Sequence, residues 1–195
     1  MDHHIGKTLD KLDELGLSEN TLIAFTTDHG HFMGQHNLIA KGPFHYEDEV
    51  KVPMIVSWPG QVPAGARTSA LQSLVDLPVS CLAAAGIGKP HKMTGLNQIE
   101  VWKGIKDSVR DHCIVENNHE PRFCELKTYI ETDYKLTIFR NLEAGELYDL
   151  KNDPGEFENK FDDPAYATIK SQLLQRFIQA EMAKEVLPMP RIAPA

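Results

Sequence analysis

Cysteine is scarce and unpatterned in this 195-residue chain. Cys81, Cys113 and Cys124 make an odd count with no CxxC pair, which argues against a disulfide framework and against a thiolate zinc site. Positive charge is in deficit, with 20 Lys and Arg against 28 Asp and Glu and a net charge of -8. Binding along nucleic-acid phosphates needs a basic face, so no nucleic-acid partner is expected. The longest apolar run, around Leu71 to Ile87, is interrupted by Asp76, Pro78 and small residues, too broken for a membrane span. The opening Met-Asp-His-His-Ile-Gly has neither the basic nor the apolar stretch of a secretory leader,. There is no internal repeat and no low-complexity segment. What is present, 42% hydrophobic and 25% charged residues, is the composition of a globular protein with a sizeable core.

Residues 2 to 15 place Ile5, Leu9, Leu12 and Leu15 at helical spacing before Gly16, which predicts an amphipathic helix. TLIAFT (21–26) and VPMIVS (52–57) are short, nearly all-apolar runs, expected of strands buried on both faces of an α/β sheet. Pro53 stands where a strand start tolerates it. The stretch 27–51 between them has no sustained period and reads as a long loop with one helical turn; loops of that length in a compact domain are usually functional. Leu71 to Ala85 predicts a buried helix starting near Ser73 or Asp76 and ending at Gly86. From residue 111 the texture changes to strand-like pieces, HCIVEN, LKTYIETDYKLTIFR and GELYDL, with a hairpin turn at Asp133. A last helix is signalled by Asp163 as N-cap and Pro164 at the first position, with Tyr166, Ile169, Leu173 and Phe177 on one stripe. The tail LPMPRIAPA is expected to be extended.

The chemistry concentrates in the loop. Asp28 and His29 follow directly on a strand, and ligands gather at the carboxyl ends of strands in open α/β sheets. A carboxylate oxygen and a neutral imidazole nitrogen suit part of a divalent metal site, although a full site needs more donors. Taken alone, the pair is more simply a turn cap and a hydrogen-bonded histidine. Lys41, before Gly42 and Pro43, can neutralise an anionic group as a compact point charge; a lone loop lysine is more often just solvated. His31, His36 and His45 are each able to act as proton donors or ligands.

The ordered string is more specific than its parts. "TTDHGHFMGQHNLIAKGPFHYEDEVKVPMIVSWPG" closely resembles the sulfatase family of the alkaline phosphatase superfamily: a strand, Asp-His-Gly, a Gly-x-His step, Lys-Gly, Tyr-Glu, Val-Pro-x-Ile-Val and Trp-Pro-Gly. "IGKTLDKLDELGLSENTLIAFTTDHG" is similar to the family's preceding helix and strand, and "GELYDLKNDPGEFENK" to its C-terminal signature. The resemblance runs from about residue 2 to 185 and is weakest over 88–128. It implies an α/β fold, with part of an alkaline-phosphatase-like sheet and flanking helices over 1–110, then a small antiparallel sheet and C-terminal helix over 111–195.

By the same resemblance Asp28 and His29 correspond to metal ligands, around calcium first and magnesium or manganese as alternatives. Lys41 corresponds to the lysine that contacts the sulfate. His36 joins Lys41 as a catalytic candidate, and Glu47 is a candidate for orienting Lys41 or its loop. The implied substrate is a small-molecule or carbohydrate sulfate ester. Two departures stand out: the family often has an acidic residue at His31, and neither the Cys/Ser-x-Pro-x-Arg motif that yields the formylglycine nucleophile nor the N-terminal Asp-Asp metal pair occurs here. The three cysteines lack the required context and read as buried or strand residues. The resemblance thus implies a C-terminal portion of a sulfatase, inactive by itself, with formylglycine and the remaining ligands in an N-terminal portion. Surface exposed by such truncation would favour oligomerisation. Alternatives are a phosphodiester or phosphonate monoester hydrolase of the superfamily, or a non-catalytic binding or assembly module.

Overall fold

The computed structural model describes residues 1–118 and 124–184; the tail at 187–195 lies outside them. In chain order the elements are helix α1 (Asp2–Glu14), strands β1 (Ile23–Thr26), β2 (Phe32–Met33) and β3 (Ile39–Ala40), helix α2 (Glu47–Val50), strand β4 (Met54–Ser57), helices α3 (Asp76–Ala84) and α4 (Ile99–Trp102), strands β5 (Cys113–Asn117), β6 (Leu126–Ile130), β7 (Tyr134–Phe139) and β8 (Gly145–Asp149), and helix α5 (Ala167–Lys184). They divide into two compact units. The first comprises Met1–Gly30, Lys51–Lys89 and Gly95–Arg110, and the second His31–Val50, Pro90–Thr94 and Asp111–Ala195. No helix among the described residues is long and apolar enough to cross a membrane.

In the first unit β1 and β4 pair antiparallel, with Phe25 opposite Ile55. These strands are not buried on both faces as their composition suggested, since Phe25 and Ile55 are both exposed. Helix α1 forms where the apolar spacing predicts it, ahead of a left-handed Gly16 (φ 66°), and buries none of its residues.

The firmest feature of this unit is Asp76, at the start of α3 and 1% exposed. Its carboxylate accepts from Ser73 N (3.0 Å), Leu96 N (2.8 Å), Gln98 Nε2 (2.8 Å) and Arg110 Nε (3.0 Å), and from Arg110 Nη2. Ser80 extends the tie, since its hydroxyl accepts from Gln98 N at 2.9 Å. The 95–110 stretch, irregular but for α4, is thereby bound to α3 by polar contacts, and Gly95 allows the approach: a Cβ there would lie 1.9 Å from the Val75 carbonyl oxygen. Cys81, on the same helix, is exposed rather than buried.

In the second unit β5, β6, β7 and β8 form an antiparallel sheet in sequence order. The turn after Ile130 gives the predicted hairpin, with Tyr129 opposite Leu136 and Leu136 opposite Leu147. Alternation along a strand sends these residues to one face, where Leu173, Phe177 and Ala180 of α5 cover them. The cap the sequence indicates forms one turn before α5: Asp163 Oδ1 accepts from Ala165 N at 2.9 Å, and Pro164 opens a 3₁₀ turn, Pro164–Tyr166, that leads into the helix. The opposite face of the sheet carries Thr128, Lys135 and Thr137, all buried. That polar inner face receives the loop described below.

Burial alone would raise the Asp76 pKa, but the Arg110 guanidinium and the amide donors outweigh it and hold the carboxyl below its ordinary value. Its contribution to stability is therefore full above the ordinary aspartate range, about 3.9, and is lost as pH falls through the lower folded value. Replacing Asp76 by Ala strands the buried side of Arg110, which is expected to cost about 3–5 kcal/mol, read as a lower urea midpoint at pH 7.

Candidate functional site

Asp28 and His29 sit in the turn that ends β1. Asp28 Oδ1 accepts from Thr27 Oγ1 and from His29 N, both at 3.1 Å, and these bonds, with the neighbouring His29, hold its pKa below the ordinary value. Asp28 therefore does cap its own turn, while its side chain stays open to solvent. His29 Nδ1 lies 2.7 Å from the Gly30 carbonyl oxygen. That contact favours the tautomer with the proton on Nδ1 and the lone pair on Nε2, and Nε2 faces Asp28 Oδ2 at 3.6 Å.

A hard oxygen and an imidazole nitrogen whose other ring nitrogen is held by a carbonyl are the donors a divalent cation takes from protein. The pair fits such an ion in donor type. No group of three or more His, Cys, Asp or Glu suited to a metal occurs among the described residues, so the pair supplies two donors where calcium takes six or more.

Lys41 and His36 lie on the second unit's loop. Its first part is a small hairpin in which Phe32 pairs with Ala40 and Met33 with Ile39, and Phe32 is buried. The turn between them is left-handed at Gly34 (φ 113°), His36 (φ 52°) and Asn37 (φ 59°), and Ala40 is left-handed too (φ 70°). For an alanine this conformation costs about 1–2 kcal/mol, so it is held by its surroundings. Lys41 follows directly and is exposed.

His36 does not project freely. Its ring stacks on Tyr46 at 3.8 Å with planes 7° apart, and its Nε2 lies 3.8 Å from Asp48 Oδ2. A cavity of about 490 Å³ opens beside it, bounded by His36, Tyr46, Tyr148 and Phe157 among others.

The next three residues, His45, Tyr46 and Glu47, each engage a different strand of the antiparallel sheet. His45 Nδ1 lies 2.8 Å from Thr128 Oγ1 on β6, which is 2.8 Å from Thr137 Oγ1. Tyr46 Oη donates to Glu146 Oε1 on β8 at 3.2 Å. The Lys135 ammonium on β7, 1% exposed, reaches the His45 carbonyl oxygen (3.1 Å), Glu47 Oε1 (2.6 Å) and Glu156 Oε1 (2.7 Å). Glu156 closes the ring by accepting from Glu47 N at 2.6 Å. Burial pushes the carboxyls of Glu146 and Glu156 above the ordinary range. Burial, with the Lys135 charge behind it, lowers His45 to about 4.

Glu47, a candidate in the sequence for orienting Lys41 or its loop, lies 2.6 Å from the Lys135 ammonium, whereas sequence reasoning missed Lys135 and Glu156. The signal was a lysine inside the strand YKLTIF and a glutamate in DPGE, neither of which a solvated position requires.

The family described as N-sulphoglucosamine sulphohydrolase, C-terminal, matches residues 34–183. The chain belongs to it, and so to the sulfatases of the alkaline phosphatase superfamily. An N-acetylglucosamine-6-O-sulfatase of Bacteroides thetaiotaomicron is 32% identical over 182 residues, 90% of this chain and 32% of that protein. An uncharacterized sulfatase, YidJ, of Escherichia coli is 32% identical over 89% of this chain and 34% of that protein. The chain thus spans about a third of the length of the curated relatives it matches. A solved structure of a protein in complex with its substrate D-glucosamine-2-N,6-O-disulfate superposes with a TM-score of 0.87 at 27% identity, over 94% of this chain and 38% of that one. The Agrobacterium radiobacter phosphonate monoester hydrolase shares the fold, with a TM-score of 0.84 at 23% identity over 94% of this chain and 39% of that one.

The His45 ring is expected to titrate near 4 in the folded chain, against 6.5 when unfolded. Between those values the unfolded state binds the extra proton, so stability falls as pH drops from 6.5 to 4, by about 3 kcal/mol, and is insensitive to this group above 6.5. Ring-proton NMR titration alongside urea melts at pH 7 and 4.5 checks both.

Proposed function

We propose that the protein is a metal-dependent sulfuric-ester hydrolase acting on a sulfated amino sugar, to which this chain contributes part of the metal site and the sulfate-contacting lysine. The observation that carries this reading is the Asp28–His29 pair at the end of β1, with Nδ1 held by Gly30 and Nε2 turned to the carboxylate, in a chain of the sulfatase family. The names of the relatives support the sugar: one is an N-acetylglucosamine-6-O-sulfatase and another was solved with a glucosamine disulfate.

Asp28 and His29 would hold a divalent cation, calcium first, through a carboxylate oxygen and Nε2. Bound there, the cation supplies positive charge that polarises a sulfate oxygen. Lys41 acts on charge: its ammonium contacts the sulfate and offsets the negative charge that grows on its oxygens as the ester bond breaks. Its exposure on a held loop suits that task, because the ammonium meets substrate without first breaking an internal ion pair. His36, packed on Tyr46 and facing Asp48, serves by ordering the loop rather than by donating a proton. The nucleophile is not among these residues, so the isolated chain should show no turnover.

The protein isolated from its native source is expected to hydrolyse glucosamine 6-O-sulfate in preference to phenylphosphonate. Lys41→Ala should lower kcat/KM by about 10²–10³-fold with an unchanged circular dichroism spectrum. A preference for the phosphonate would move the assignment within the superfamily, and failure to cleave either ester would leave a non-catalytic module. Independently of turnover, calcium should raise the melting temperature of the wild-type protein and not that of Asp28→Asn.

A further inference from the structure

Lys41 lies between two anchored segments. On one side is the hairpin whose Ala40 is left-handed and pairs with the buried Phe32; on the other are His45, Tyr46 and Glu47, fastened to the sheet. Only Gly42, Pro43 and Phe44 separate Lys41 from His45, and Pro43 fixes one of the intervening φ angles. A shift of the 45–47 segment therefore carries directly to the lysine.

The fastening is ionic and buried, which is a costly way to hold a loop. A buried ion pair replaced by well-packed apolar side chains is often no less stable, so stability alone gives little reason for a lysine on the inner face of β7. What an ammonium supplies there is direction: it fixes the His45 carbonyl, the Glu47 carboxylate and the Glu156 carboxylate at once. Glu156 in turn holds the backbone at Glu47 N, from a left-handed position of its own (φ 57°). Strained, over-determined backbone of this kind collects where geometry matters for function.

We propose that Lys135 and Glu156 are positioning residues for Lys41: by locking residues 45–47 onto the sheet they fix one end of the strained loop, and with it the location of the Lys41 ammonium. This rests on the sulfatase reading for its catalytic meaning. Neither residue touches substrate.

The test is made in the protein as its native gene encodes it. In Lys135→Met/Glu156→Gln the cation leaves together with one buried carboxylate charge; Glu47→Gln is the milder second variant should the first not fold. Both are expected to lose kcat toward a sulfate ester, by about 10²-fold for a displacement near 1 Å. Adding Lys41→Ala to either should cost far less than it does in the wild-type background, because the two act through the same group. In parallel, amide hydrogen exchange at residues 38–44 should quicken in the variants while β6 and β7 remain protected. Wild-type kcat in a folded variant, losses that multiply with that of Lys41→Ala, or unchanged exchange at 38–44 would each overturn the proposal. If the wild-type protein cleaves no sulfate ester, the sulfatase reading fails instead, and the exchange comparison alone decides whether the clamp holds the loop.

Discussion

The second unit is organised around one buried positive charge. An ammonium taken out of water costs several kcal/mol unless every proton finds an acceptor, and Lys135 finds one carbonyl and two carboxylates within 3.1 Å. Those acceptors come from segments about 90 residues upstream and 20 downstream of it, so satisfying the charge requires the chain to bring them together. The apolar face of the same sheet, under α5, provides the drive to fold. The charged face determines what the sheet then holds.

The first unit uses the opposite polarity for a similar end. Asp76 is a buried carboxylate whose donors come from residues 73, 96, 98 and 110, and irregular backbone is what it organises. Net gains from single hydrogen bonds are about 0.5–1.5 kcal/mol, which would not hold such stretches one at a time. Converging several on one ion makes the loss of any partner expensive, and that penalty keeps a segment whose only regular element is the one-turn helix α4 in a defined place.

Much of this was legible in the sequence, for identifiable reasons. Helix α1 rests on its apolar period and the Gly16 stop, helix α3 on an apolar run that ends at Gly86, and the start of α5 on the Asp163 cap one turn upstream, all of which are local. Strands β5 to β8 announce themselves by alternation and turn residues. Asp28, His29 and Lys41 stand as candidates because an ordered string of motif residues is specific where each residue alone is not. What stayed hidden was non-local. Nothing near Lys135 in the chain says that Glu47 is its partner, because the pairing depends on which face of β7 the loop covers. The left-handed Ala40 was equally invisible, since local preference runs against it and only the surrounding contacts impose it. The expected two-sided burial of β1 and β4 missed for the converse reason: an apolar run reports what a strand is suited to pack against, and in this chain Phe25 and Ile55 remain exposed.

Exposure and fixation are separated in the candidate residues, and that separation has a physical logic. Lys41 and Asp28 present their charges to solvent, where ionisation costs little and a ligand can reach them. The backbone beneath each is constrained instead, by the Asx-type turn at Thr27–His29 and by the hairpin and clamp around residues 32–47. Burying the candidate charges themselves would shift their protonation and spend their hydrogen bonds on the protein. Placing the desolvation cost on the buried Lys135 and Glu156 instead leaves Lys41 exposed while the segment that follows it is held at residues 45–47.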